Sequence, residues 1–122
     1  MSSNEVYAVL TQAKPASKPL RLVNGKATLF VAGLYNTLTN AYASIPPGIE
    51  VGLQIRPYYN FDGTPWANNE QGWFTESIQT ENGFTGTIYL GGEWQVRAAI
   101  VSNSIGPSTQ IGVVIGTSVE SK

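Results

Sequence analysis

The sequence predicts an all-β domain: an antiparallel β-sandwich of about seven strands, with an extended N-terminal segment. Three observations carry that reading. Apolar residues recur with period two along most of the chain. Glycine-containing turn pairs fall between the periodic stretches. Helical spacing is confined to one short connection. A closed barrel has the same periodicity and stands as the alternative arrangement.

The clearest strand is GIEVGLQIRP, where Ile49, Val51, Leu53 and Ile55 alternate with Glu50, Gln54 and Arg56. That spacing turns the first set toward a core and the second toward solvent. EWQVRAAIVS repeats the pattern, with Trp94, Val96, Ala98 and Ile100 inward and Glu93, Gln95 and Arg97 outward. TQIGVVIGTSV aligns Ile111, Val113 and Ile115 opposite Gly112 and Gly116. GKATLFVAG aligns Ala27, Leu29 and Val31, with Phe30 on the other face. GFTGTIYL groups Phe84, Ile88 and Leu90 opposite Thr85, Thr87 and Tyr89, and EVYAVLTQ and WFTESIQT read as weaker strands. The expected core is Leu29, Leu53, Ile55, Ile88, Trp94, Val96 and Val113.

Asn24-Gly25, Asp62-Gly63, Asn82-Gly83 and Gly91-Gly92 read as hairpin or turn signals, and Gly106-Pro107 separates the last two strands. Residues 13–20, AKPASKPL, carry two prolines and predict an extended arm. The chain thus divides into a strand and arm over 1–20 and a sandwich over 21–122. Lys14, Lys18, Arg21 and Lys26 are four of the seven basic residues and gather without an acid among them. They suit a solvated edge that discourages strand pairing, or an arm docking on an acidic protein surface. Residues 34–48, LYNTLTNAYASIPPG, are long enough to mark a functional connection. The spacing of Leu34, Leu38, Ala41 and Ile45 also suits a short helix ended by Pro46-Pro47-Gly48, so loop and helix both stand.

Composition narrows the function. The chain has 122 residues, the size of one domain. It contains no Cys and no His, which removes disulfides, thiolate metal sites and the usual general base. Charged residues make up 12% and the net charge is −1, too little positive charge for a phosphate-neutralising surface; no nucleic-acid partner is expected. No apolar run reaches the roughly 18 residues that span a bilayer, so no membrane partner is expected either. The N-terminus lacks the basic start and apolar stretch of a signal peptide, which predicts no secretion by that route. Low charge also hints that part of the surface faces protein.

Catalytic Ser-His-Asp and Cys-His arrangements are impossible here. A carboxylate pair such as Glu76 with Glu93 would suffice for a glycosidase, yet nearly all the acids sit at outward strand positions where solvation is the default. No enzymatic activity, cofactor or metal is expected. Asp62 beside Asn60 and Gly63 reads as a turn, lacking the further acids of a calcium loop. The stretch RPYYNFDGTPW poses a sharper choice. Tyr58, Tyr59, Phe61 and Trp66, with Trp73, could stack a sugar, or Trp66 could fold back over the core edge. Tyr58 and Tyr59 alternate in direction, which favours the core-edge role. Trp66 and Trp73 are the stacking residues of the alternative function, a carbohydrate-binding module.

The order of GKATLFVAGLY, VGLQIRPYYNFDGTPW and GFTGTIYLGGEWQVRAAIVSNS resembles the small immunoglobulin-like β-sandwich virion proteins of tailed bacteriophages. The matching residues are Val51, Leu53 and Gln54; then Asp62, Gly63, Thr64 and Trp66; then Gly92, Trp94, Val96, Arg97 and Ala98. The resemblance spans 24–118, and the 34–48 connection and IRPYYN depart from it. It implies a non-enzymatic structural protein located in the virion, decorating or cementing the capsid, with a tail or neck component as the other possibility. It also implies a major capsid protein or another virion protein as partner, and a homo-oligomer, with a trimer suiting a three-fold position. The candidate partner contacts are Lys14, Lys18, Arg21, Tyr42, Tyr58, Tyr59 and Phe61.

Overall fold

The computed structural model describes residues 2–36, 38–102 and 105–119. Among them there is no helix, and eight strands form one antiparallel sheet. The strands are β1 (Ser2–Leu10), β2 (Leu20–Asn36), β3 (Ala41–Ala43), β4 (Val51–Pro57), β5 (Phe74–Gln79), β6 (Gly83–Phe84), β7 (Ile88–Ile100) and β8 (Ile111–Val119). The sheet runs β1-β8-β2-β7-β4-β5, and β3 and β6 also pair with β2. The all-β, antiparallel expectation holds, and both weaker strands exist as the two ends of that path.

One buried cluster joins the two halves of the sheet. Leu29, Ile111, Val113 and Ile115 from β2 and β8 meet Val51, Leu53, Val96 and Ala98 from β4 and β7. Period-two alternation produces this directly, because it sets every apolar residue of a strand on one face. Ile88 and Trp94 correct the expected core, since they are only partly buried and pack against the cluster. The Trp94 indole N–H donates to the Gly91 carbonyl at 2.7 Å, beside an irregularity in the strand.

That irregularity overturns two expected turns. Val23 pairs with Glu93 and Gly25 with Leu90, so Asn24 lies opposite Gly91-Gly92 inside two continuous strands. Asn24 has φ 45° and Gly92 φ 88°, and the Asn24 side-chain oxygen accepts the Gly92 N–H at 2.7 Å. The two turn signals are the two sides of one bulge. Asn and Gly tolerate positive φ in a bulge as readily as in a hairpin, so the residue types alone do not separate the two.

Phe84 is a further correction. Residues 85–87 interrupt the chain between β6 and β7, so Phe84 loses its parity with Ile88 and Leu90. It lies 70% exposed against Phe30, while Thr85 is buried and its hydroxyl accepts the Leu29 N–H at 3.1 Å. The 34–48 connection contains a hairpin and no described helix: Leu34, Tyr35 and Asn36 pair with Ala43, Tyr42 and Ala41. Asn40 takes φ 54° between them, which a helix would not allow.

The proline-containing segment lies along β7. Ile100 N–H donates to the Pro15 carbonyl and Ser17 N–H to the Ala98 carbonyl, both at 2.8 Å. The Ser17 hydroxyl accepts the Ala98 N–H at 2.8 Å, and Ser17 is buried. Residues 15–17 therefore extend the line of β2 beside its neighbour.

Candidate functional site

β4 and β7 carry the same tripeptide pattern, Gln54-Ile55-Arg56 and Gln95-Val96-Arg97. Antiparallel register sets Gln54 opposite Arg97 and Arg56 opposite Gln95. Each arginine then bonds the facing glutamine. Arg56 Nε donates to Gln95 Oε1 at 2.6 Å, and Arg97 Nε donates to Gln54 Oε1 at 2.8 Å. Alternation places all four side chains on the outer face, where solvation was expected. Instead, Arg56 is only 2% exposed and Arg97 6%.

The cover is the loop from Tyr58 to Trp73. Arg56 Nη1 donates to the carbonyls of Asn68 and Gln71 at 3.1 and 2.7 Å, and Arg97 Nη1 donates to the Asn69 carbonyl at 3.0 Å. Glu70 adds a carboxylate 3.5 Å from Arg97. The Trp73 ring lies 4.5 Å from the Arg56 guanidinium and 4.4 Å from that of Arg97, and Trp66 lies 4.8 Å from Arg56. Both indoles are themselves tethered: Trp66 Nε1–H donates to the Pro57 carbonyl at 2.7 Å, and Trp73 Nε1–H to the Asn69 carbonyl at 2.6 Å. Gly72, at φ 78°, lies under the Trp66 ring, where a Cβ would collide with the indole.

Burying two like charges is expensive unless each is hydrogen-bonded and partnered. Here two amide oxygens, three loop carbonyls and two ring faces supply the partners. Burial pushes both guanidinium groups below their ordinary range, Arg56 further because of Arg97, while Glu70 pulls the other way. Both remain charged, as arginine does in proteins. The planar fork suits the work: its in-plane N–H groups reach carbonyls while its faces stack on rings.

Trp66 and Trp73 thus correct the choice posed by the sequence. They do not join the aliphatic core; partly exposed, they lie over the arginines on the opposite face of the sheet. The other aromatic candidates ride on this loop. Tyr58 lies 4.9 Å from the Arg21 guanidinium and 5.0 Å from the Tyr59 ring, and Arg21 pairs with Glu93. Phe61 meets Trp66 edge-on at 5.8 Å. Tyr59 is 50% exposed and Phe61 73%, while Tyr58 is half-buried. Asp62 forms the expected turn, accepting the Thr64 N–H at 3.0 Å.

The remaining candidates lie apart from this loop. Lys14 and Lys18 are exposed on the segment beside β7. Tyr42 is on β3, with its ring on Tyr35 at 5.1 Å and over Gly112. Glu76 falls at the β5 irregularity opposite Leu53 and Gln54, whereas Glu93 pairs with Val23 at the bulge. Sequence reasoning missed Arg56 and Arg97. The repeated Gln-apolar-Arg pattern on two facing strands was the signal available for them.

No protein-family model matches this chain, and neither a curated protein nor a solved structure does.

Proposed function

We propose that this chain is a non-enzymatic structural protein of a tailed-phage particle, attached to the capsid through the 58–73 loop. The observation that carries the reading is the pairing of exposed Tyr59 and Phe61 with a foundation of buried arginines and the partly exposed tryptophans stacked on them. Exposed aromatics on a loop held in one shape lose little entropy when they dock, which is how interface anchors gain affinity. Arg21 beside Tyr58 adds a cation at the rim of the same patch.

The immunoglobulin-like sandwich belongs to this proposal. The bulge shared by β2 and β7 bends the sheet, and a core drawn from both halves supports a folded-over arrangement. Virion location and a capsid partner rest on the sequence resemblance, and a decorating trimer follows from the same reading.

The test is to purify particles from a lysate in which the chain is produced, then locate it by mass spectrometry and imaging. The chain is expected on the capsid surface, and Phe61→Ala combined with Tyr59→Ala is expected to release it without unfolding it. Its absence from particles contradicts the proposal, and a tail or neck position removes the decorating role.

A further inference from the structure

The outer face of β1, β8 and β2 carries a second feature, unrelated to the loop. Register sets Tyr7, Val114, Phe30 and Phe84 in one row across β1, β8, β2 and β6. The next row holds Glu5, Gly116 and Thr28, and Thr87 completes it through a 2.7 Å hydrogen bond between its hydroxyl and that of Thr28. The third row holds Ser118, Lys26 and Tyr89. Large side chains therefore flank a middle row whose centre is a glycine. The result is a trench of about 200 Å³ running across the strands over Gly116, Thr28 and Thr87.

Its chemistry selects among ligands. Tyr7 and Tyr89 stand in the rows to either side of its lining, each 72% exposed, so both rings are accessible at its margins. Threonine and serine hydroxyls on the floor can both donate and accept. Glu5 already accepts the Tyr7 hydroxyl at 2.9 Å, and the Lys26 ammonium lies 6.0 Å from the Tyr89 ring. One carboxylate and one ammonium give no net charge, which disfavours a strongly ionic ligand. A peptide would fit poorly, because the backbone groups beneath are committed to the ladder and strand addition needs a free edge. Open rings beside paired hydroxyls suit a ligand with apolar faces and many hydroxyl groups. We propose that this trench binds a neutral oligosaccharide lying across the strands. The site does not depend on particle attachment, and it uses neither Trp66 nor Trp73.

Gly116 gives a clean probe. A Cβ there meets nothing closer than the Thr28 carbonyl oxygen at 4.0 Å, so the backbone has room for a side chain and Gly116→Val narrows the trench. Tyr89→Ala, at an exposed ring, is the second variant. The probes are neutral hexasaccharides of glucose, mannose, xylose and N-acetylglucosamine, titrated into isotope-labelled protein. At least one is expected to shift the amides of Thr28, Thr87, Tyr89 and Gly116 saturably, with affinity falling roughly tenfold or more in each variant. Absence of a saturable shift across the panel overturns the proposal. So does binding that both variants leave intact, or tighter binding of a charged hexapeptide at the same amides.

Discussion

The outer face of β4 and β7 is roofed by residues 58–73, whereas the outer face of β1, β8 and β2 lies open to solvent. The roofed face carries long side chains with planar polar ends, Gln54, Arg56, Gln95 and Arg97. They reach a covering loop and satisfy its carbonyls. The open face carries short residues, Thr28, Gly116 and Ser118, between exposed rings. The same period-two rule builds both faces, so side-chain length and donor geometry decide which one gains a second layer. A covered face offers a partner the top of its loop, and an open face offers the sheet itself.

The inner face sets the scale for testing this contrast. Leu53 is fully buried between the halves, and Leu53→Ala is expected to cost about 3 kcal/mol in urea unfolding. Arg56→Ala comes next, at about 2 kcal/mol, because it strands the Gln95 amide and two loop carbonyls. If Arg56→Ala matches an exposed-surface substitution instead, the roof is decoration and the two outer faces are equivalent. Trp94→Ala is expected to cost about 1–2 kcal/mol, less than truncating a fully buried tryptophan, since its ring is only partly enclosed.

Two surface groups give the smallest effects. Arg21→Ala removes an exposed, solvent-screened ion pair and is expected to leave stability almost unchanged in urea unfolding. For Asp62, the Thr64 hydroxyl and then the Thr64 N–H hold the carboxyl below its ordinary value of 3.8. A depressed folded value means the contribution is complete above that ordinary value and fades as pH falls through the lowered one. Asp62→Asn is therefore expected to lower stability slightly near neutrality and to leave it unchanged at the acid end, which flattens the acid limb of a stability-against-pH curve.

Much of the inner face was legible in the sequence. Leu53, Ile55, Val96 and Val113 follow from alternation alone, because that pattern is local and β4, β7 and β8 are regular where these residues lie. The outer face was less legible, since what covers it comes from elsewhere in the chain. Arg56 and Arg97 alternate as solvated residues do, and only the return of residues 66–73 buries them. Asn24 and Gly91-Gly92 misled for a different reason: positive φ marks a turn and a bulge alike, and only strand pairing tells them apart. Tyr58, Tyr59 and Phe61 were recognised as a group, but the support beneath them was not.

The central claim is that Arg56 and Arg97 hold the 58–73 loop by clasping Trp66 and Trp73. The most direct measurement is hydrogen exchange at the two indole N–H groups, followed by NMR in the parent and in Arg56→Lys. Lysine keeps the charge but loses the planar fork and its in-plane donors. Both indoles are expected to exchange slowly in the parent. In the variant they should exchange roughly tenfold faster or more, while the amides of Leu53 and Val96 keep their protection. Fast indole exchange in the parent, or slow exchange unchanged by Arg56→Lys, would contradict the clamp.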